Sequence, residues 1–181
     1  MGTWLNSDGL YIKYGPEEAE VNIGGEYRTG PAGLHEVEFS LGYTEFDSAT
    51  PSIPHTADGL GIIIPKGAKI KNIEFITTTA FTSSGTVGSS TLSVGFKKAS
   101  DRSTELDHDA LTTSSATATV LKLTTVGASV VVDGAATGAG AYLTSQTTMS
   151  ENGIVVLCNT AHASHPHTAG AVKIIIRYFF P

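Results

Sequence analysis

The sequence predicts an all-β protein, a jelly-roll-like antiparallel β-sandwich with an extended N-terminal arm. Short segments of alternating apolar and polar residues recur along the chain, and turn-forming glycine and proline residues stand between them. Only 15% of the 181 residues are charged, against roughly 25% in ordinary globular proteins, so that Thr and Ser supply much of the polarity. Strands at this spacing without intervening helical periods favour a sandwich or jelly roll.

Residues 1–33 are predicted to form the arm and residues 34–181 the sandwich domain. The arm has too many aromatic residues for a disordered tail. Because buried aromatic side chains contribute much of the energy of an interface, we expect the arm to order against a neighbouring surface or, alternatively, to pack back on its own domain. The residues predicted to contact a partner are Trp4, Leu5, Leu10, Tyr11 and Tyr14.

The domain begins with a regular alternation in which Val37, Phe39 and Leu41 occupy one face of a strand and Glu36 and Glu38 the other. One or two helical turns are expected to start at Asp107 or Asp109, since Asp caps first turns. The further strands predicted are 60–64, 70–79, 91–98, 118–125, 129–132, 141–148, 154–159 and 172–179.

Two strands carry additional information about the sheet. The run Ile62–Ile64 stops at Pro65, and Gly67 then supplies the backbone freedom of a turn. The final strand is apolar on both faces at Ile174–Ile176, so it is predicted to be central in a sheet or buried by a neighbouring subunit.

The net charge of −6 is unevenly distributed along the chain. Residues 1–58 hold ten acidic and two basic residues, and residues 59–181 hold seven acidic and nine basic residues. Because the chain has no cluster of Lys and Arg, we expect it not to bind nucleic acid. No segment approaches the roughly 18 apolar residues of a membrane span, and no secretory signal is recognisable, so no membrane partner is expected.

Two groups of residues could hold a metal ion, although no metal and no cofactor is predicted. His162, His165 and His167 lie within six residues, and a His-x-His pair on an extended segment would point both rings to one side. The alternative is a polar surface loop. The run Asp101, Glu105, Asp107 and Asp109 offers oxygen ligands for calcium, but solvated turn residues are the favoured interpretation.

The sequence does not predict an enzyme. It has no Gly-x-Ser-x-Gly elbow, no P-loop and no dinucleotide fingerprint. Glu36, Glu38 and Glu45 could be considered as paired carboxylates for glycoside hydrolysis, but they are expected on or beside the wet face of a strand. Cys158 alternates with Ile154 and Val156 and is predicted to be a buried structural cysteine.

The segment from Ala110 to Ser150 contains only two charged residues, Lys122 and Asp133. A freely soluble monomer normally carries mixed surface charge, which keeps molecules apart. We therefore interpret this segment as an indication that protein covers part of the surface.

The sequence of residues 64–107, IPKGAKIKNIEFITTTAFTSSGTVGSSTLSVGFKKASDRSTELD, is followed by this charge-poor Ala/Thr segment. With it, residues 33–181 resemble small structural proteins of tailed bacteriophages, particularly head decoration (cement) proteins. The resemblance implies a jelly-roll-like module on the outer surface of the virion capsid. It also implies a homotrimer that clamps neighbouring subunits of the phage major capsid protein. The alternatives are a phage fibre or knob adhesin that binds host surface carbohydrate, and a shell-forming coat subunit.

Overall fold

The computed structural model describes residues 2–5, 11–14, 26–29, 33–54 and 61–181 of the chain, and for the first three ranges it describes the backbone. The strands of the N-terminal third are β1 (Gly2–Leu5), β2 (Tyr11–Tyr14) and β3 (Glu26–Thr29). The eight that follow are β4 (Leu34–Gly42), β5 (Ile63–Ile64), β6 (Lys69–Ser83), β7 (Ser93–Lys98), β8 (Glu105–Thr112), β9 (Ser129–Val132), β10 (Gly153–Cys158) and β11 (His167–Phe179).

The strands β4 to β11 form two antiparallel sheets with jelly-roll connectivity. One sheet has the order β4-β11-β6-β9 and is extended by β3 at the β4 edge, and the other has the order β5-β10-β7-β8. Counted from β4 as the first strand, the two orders are 1-8-3-6 and 2-7-4-5, which are those of the eight-stranded jelly roll with its two Greek keys. The predicted fold class is confirmed.

One apolar core lies between the two sheets. The alternation predicted in β4 is confirmed, since Val37, Phe39 and Leu41 are buried and belong to that core. Phe75 of β6 and Phe96 of β7 join it from the two opposing sheets, and both are fully buried. The inward faces of the strands therefore supply the hydrophobic stabilisation of the sandwich.

The predicted position of the last strand is also confirmed. β11 lies between β4 and β6 and pairs with both, and its residues Ile174–Ile176 are buried. The turn between β5 and β6 forms where Pro65 ends the apolar run: the amide of Ala68 donates to the carbonyl of Pro65 at 3.2 Å. Gly67 in this turn has φ of +86°, a conformation that glycine adopts without steric cost.

Two predicted strands are wrong. Residues 118–125 form successive turns, in which the amide of Leu121 donates to the carbonyl of Thr117 and that of Leu123 to the carbonyl of Ala118. Residues 141–148 begin with a short helix, α1 (Ala141–Thr144), and continue as a loop. Leu121, Leu123 and Leu143 are fully buried, so apolar side chains on irregular backbone produced the strand-like pattern.

The predicted helical turn at Asp107 or Asp109 is wrong as well, because these residues lie in β8. The carboxylate of Asp107 accepts a hydrogen bond from the amide of Asp109, a local contact that does not start a helix. β8 pairs with β7 through Val94↔Thr112 and Phe96↔Asp107, with an irregular register between these pairs. Long-range pairing in the sheet thus overrides the local preference of Asp for a cap.

The predicted arm contributes to two sheets. β1 and β2 pair antiparallel with each other in a separate two-stranded sheet. β3 pairs with β4 through Glu26↔Glu38 to Thr29↔His35 and so forms an edge of the larger sheet.

Candidate functional site

Four of the five predicted arm contacts lie in the hairpin of β1 and β2. The register pairs Leu5 with Tyr11, Trp4 with Ile12, and Gly2 with Tyr14. The fifth, Leu10, lies outside the described residues. The hairpin therefore brings the backbone positions of Trp4, Leu5 and Tyr11 together in one small element.

The structure separates the three histidines that the sequence offers as candidate metal ligands. His162 Nδ1 lies 3.2 Å from Asp47 Oδ1, and His165 Nδ1 accepts a hydrogen bond from the amide of Thr86 at 3.0 Å. His167 Nε2 lies 3.3 Å from the carbonyl oxygen of Thr91. The prediction that a His-x-His pair points both rings to one side is wrong, because a bend at His165 precedes the start of β11.

His167 occupies a closed position at the end of the sandwich. Its ring packs edge-on against Phe46 and Phe81, with centroid distances of 5.3 and 5.1 Å, and the residue is 3% exposed. Nε2–H donates to Thr91, and Nδ1 is buried without a hydrogen-bond partner among the described residues. Burial lowers the pKa of His167 below 6.5, because a charged ring would lose its hydration there.

A polar network surrounds this histidine and fixes the loop before β11. Asp47 Oδ1 accepts from the amide of His167 at 2.7 Å and from Asn159 Nδ2 at 3.4 Å. Asn159 is fully buried, and its Oδ1 accepts from the amide and the hydroxyl of Thr91 and from the amide of Ala161. Each of these groups serves to hold backbone in place.

Three residues of the acidic run, Glu105, Asp107 and Asp109, lie in β8. Burial, a hydrogen bond with Asp109 and the charge of Asp109 raise the pKa of Asp107 to about 6. The pKa of His108 is also raised, chiefly by its hydrogen bond with Glu105 at 2.6 Å.

Asp101, the remaining residue of the acidic run, stabilises a turn, in which its carboxylate accepts hydrogen bonds from the amides of Ser103 and Thr104. In the described part of the chain, no three acidic, His or Cys side chains are arranged to hold a metal ion.

The outer face of the larger sheet carries a ladder of ion pairs. Arg177 of β11 contacts Glu36 of β4 at 2.7 Å and Glu74 of β6 at 2.9 Å, and Lys173 contacts Glu38 at 2.6 Å. The hydroxyl of Ser129 and the guanidinium of Arg177 hold the pKa of Glu74 below its usual value. The expectation that Glu36 and Glu38 occupy the wet face is confirmed, and both are partners of basic residues. Glu45 lies outside the strand, where its carboxylate accepts from the amide of Gly42.

The exposed residues between 113 and 150 form a surface of a different kind, here called the neutral surface. It consists of β9 and the loops before and after it, and its exposed residues are Ser, Thr, Ala, Gly, Gln and Val apart from two charged ones. Val126 and Val131 are 63% and 47% exposed and are, with Phe180, the large hydrophobic residues most exposed in the described part of the chain. The neutral surface is the arrangement best suited to contact another protein surface.

The charge-poor composition of this segment was recognisable in the sequence, but the positions of its two charges were not. Lys122 lies beside the Ser129 end of β9, because its carbonyl accepts from Thr77 Oγ1 and Thr77 pairs with residues 127 and 128. Asp133 follows Val132 directly at the other end. The sequence pattern K-x6-SVVV-D could have indicated that opposite charges flank β9. The strand predicted at 118–125 includes Lys122 and so hides this pattern.

Cys158 lies on the same face of β10 as Ile154 and Val156, as predicted, and all three are buried. Burial raises the pKa of the Cys158 thiol to about 11, so it remains protonated and unreactive at neutral pH.

None of the described helices has the length and apolarity needed to cross a bilayer. Comparison of the chain with protein-family models, with curated proteins and with solved structures finds no match.

Proposed function

We propose that this protein is a non-enzymatic decoration protein of a tailed bacteriophage, which binds the outer surface of the capsid and stabilises it by bridging major capsid subunits. The observation that carries the proposal is the neutral surface. About twenty exposed positions between residues 113 and 150 include only two charged residues, Lys122 and Asp133, which fits a surface that contacts other protein.

Two further features support the proposal. The resemblance of residues 33–181 to head decoration proteins implies a jelly roll, and the fold has that connectivity. A capsid presents many identical sites, so a homotrimer of the kind the resemblance implies would gain affinity by engaging several of them at once. Each single contact can then be modest, and a small domain is sufficient.

In this proposal the N-terminal hairpin is the main docking element. It contains Trp4 and Tyr11, residue types that contribute strongly to interfaces. Residues 1–58 also carry the acidic excess of the chain, which suits basic patches on the capsid.

The test is co-sedimentation of the purified protein with expanded heads of tailed phages and with their purified major capsid protein. We expect saturable, stoichiometric binding to heads and a rise in the temperature at which the heads release their DNA. If the protein binds none of the heads and capsid proteins tested but binds cell-surface glycans on an array, the proposal is contradicted and a fibre or knob adhesin is favoured.

The role of the hairpin is tested separately with a chain that lacks residues 1–25. This deletion removes all five predicted contacts and retains Glu26–Thr29, so β3 can still pair with β4. We expect a folded domain that no longer binds heads. The double substitution Trp4→Ala and Tyr11→Ala is the matched control, because it removes two aromatic side chains without shortening the chain. If the shortened chain binds heads fully, the docking role of the hairpin is refuted, but the proposal that the protein binds heads still stands.

A further inference from the structure

In the described part of the chain, β9 forms an edge of the larger sheet. Among the described residues it has a hydrogen-bonded strand neighbour on one side only, where Ser129–Val132 pairs with Ile73–Ile76 of β6. Proteins commonly protect such edges with a Lys, a Pro or a bulge, because the unpaired amides and carbonyls can recruit another strand. The sequence Ser-Val-Val-Val of β9 contains neither Lys nor Pro.

We propose that β9 is the contact between two copies of this chain, which pair antiparallel along it across a twofold axis. Val131 is 47% exposed on β9 and Val126 is 63% exposed on the turn before it. Pairing of two such edges would cover these side chains and satisfy the backbone groups at once. This inference does not depend on the proposed role on the phage head, because it assigns β9 to a second copy and leaves the docking on the capsid to the hairpin.

The charges at the two ends of β9 select the antiparallel arrangement. Lys122 lies at the Ser129 end of the strand and Asp133 at the Val132 end, and both residues are exposed. In an antiparallel pair the Ser129 end of one strand lies beside the Val132 end of the other. Lys122 of each copy then approaches Asp133 of its partner, whereas a parallel pair would place like charges together.

The overall charge explains why a second copy fits this surface better than other surfaces of the same molecule. Each copy has a net charge of −6, so two copies repel one another wherever their acidic residues meet. Between 113 and 150 the two charges are one Lys and one Asp, which sum to zero. The neutral surface is therefore where two copies approach without bringing like charges into contact.

A cross-linking experiment tests the twofold symmetry. The variant Val131→Cys places one accessible thiol on β9, and Cys158 does not compete because it is fully buried. A same-residue link forms only when two copies of position 131 lie close together, which a twofold axis at β9 requires. With a short bifunctional thiol reagent we expect covalent dimers of Val131→Cys, and monomers from the matched variant Ser100→Cys on an exposed turn elsewhere.

Sedimentation equilibrium of the full chain tests the association itself. We expect an even number of copies, either two chains or two of the proposed homotrimers joined in a pair. Val131→Lys places two like charges at the contact and should weaken the pairing at least tenfold, while Ser100→Lys adds the same charge without effect. A monomer at all concentrations, or an odd-numbered assembly without a link at position 131, overturns the inference.

Charge reversal distinguishes the antiparallel pair from other contacts at β9. Lys122→Glu or Asp133→Lys alone places like charges together, and each should weaken the pairing by roughly two- to fivefold, as expected for exposed ion pairs. The double variant restores opposite charges and should recover the affinity of the original chain. If the losses of affinity caused by the two single substitutions simply add in the double variant, the antiparallel arrangement is contradicted.

Discussion

His167 is a buried titratable side chain whose charged form the fold cannot accommodate. Its neighbours are the rings of Phe46 and Phe81 and the carbonyl of Thr91. Two further groups face it, Asp47 from the segment after β4 and His162 from the loop before β11. The attraction of Asp47 favours the proton, but burial outweighs it, so the pKa is lowered below 6.5. In the unfolded chain the same ring takes up a proton near pH 6.5.

The expected result is a loss of stability on acidification that depends on this residue. Below pH 6.5 the unfolded state binds more protons at position 167 than the folded state, so the free energy of unfolding falls as the pH falls towards the lowered pKa. His167→Gln cannot titrate and should lose less stability over that range in urea unfolding at a series of pH values. His165→Gln removes a half-exposed histidine of the same loop as a control, and equal pH slopes for the original chain and His167→Gln would refute the expectation.

At the scale of elements, the central strand β11 is held to its neighbours by side chains as well as by backbone. Arg177 bridges Glu36 and Glu74 on the two flanking strands, and its side chain is 23% exposed. Without the guanidinium, these two carboxylates would face each other across β11 with no cation between them. The ladder is thus a contact among three strands that are distant in sequence.

Removal of the Arg177 guanidinium should destabilise the sandwich modestly. Because the charges are partly solvated, we expect Arg177→Gln to lower the free energy of unfolding by about 1 kcal/mol, and Lys173→Gln, which removes a single pair, by roughly half as much. High salt should reduce the difference in the free energy of unfolding between each variant and the original chain, since salt screens the attraction within the ion pairs. Chemical denaturation at low and high salt measures both effects, and an Arg177→Gln protein as stable as the original would show that the ladder contributes nothing.

Sequence patterns predicted the strands whose two faces differ or whose ends carry turn residues. β4, β7, β9 and β10 were recognisable from alternation or from apolar runs. β8 was not, because its polar residues resemble a capped helical turn and only its pairing with β7 makes it a strand. Residues 118–125 show the converse case, in which buried leucines on turns imitate a strand.

The candidate site was predictable in composition and not in geometry. The lack of charge between Ala110 and Ser150 is a property of the sequence. That β9 is an edge strand, and that Lys122 and Asp133 lie at its opposite ends, depends on the order of strands in the sheet. Strand order arises from contacts distant in sequence, which no local pattern records.

At the scale of the whole molecule, we expect the hairpin and the sandwich to unfold as separate cooperative units. β1 and β2 pair only with each other in the described part of the chain, whereas β3 belongs to the larger sheet. An isolated two-stranded hairpin is at best marginally stable in water, while the sandwich has an extensive core. The hairpin is therefore expected to lose its structure first.

Trp4 is the single tryptophan of the chain and lies in β1, so it provides a fluorescent probe in the hairpin. In urea we expect its fluorescence to change at a lower concentration than the far-ultraviolet circular dichroism, which follows the sandwich. The double substitution Trp4→Phe and Phe180→Trp moves the probe to the end of β11 and should make the two transitions coincide. Coincident transitions in the original chain would mean that the hairpin unfolds together with the sandwich.

The position of β11 also sets when this protein can fold. β11 is the last strand of the sandwich to be synthesised, yet it lies in the middle of the larger sheet, where it pairs with β4 on one side and with β6 on the other. Until residues 167–179 have left the ribosome, β4 and β6 are both without their shared partner and their apolar faces remain exposed. The larger sheet can therefore close only after β11 has been synthesised, and until then the nascent chain carries unpaired strands that are prone to aggregation.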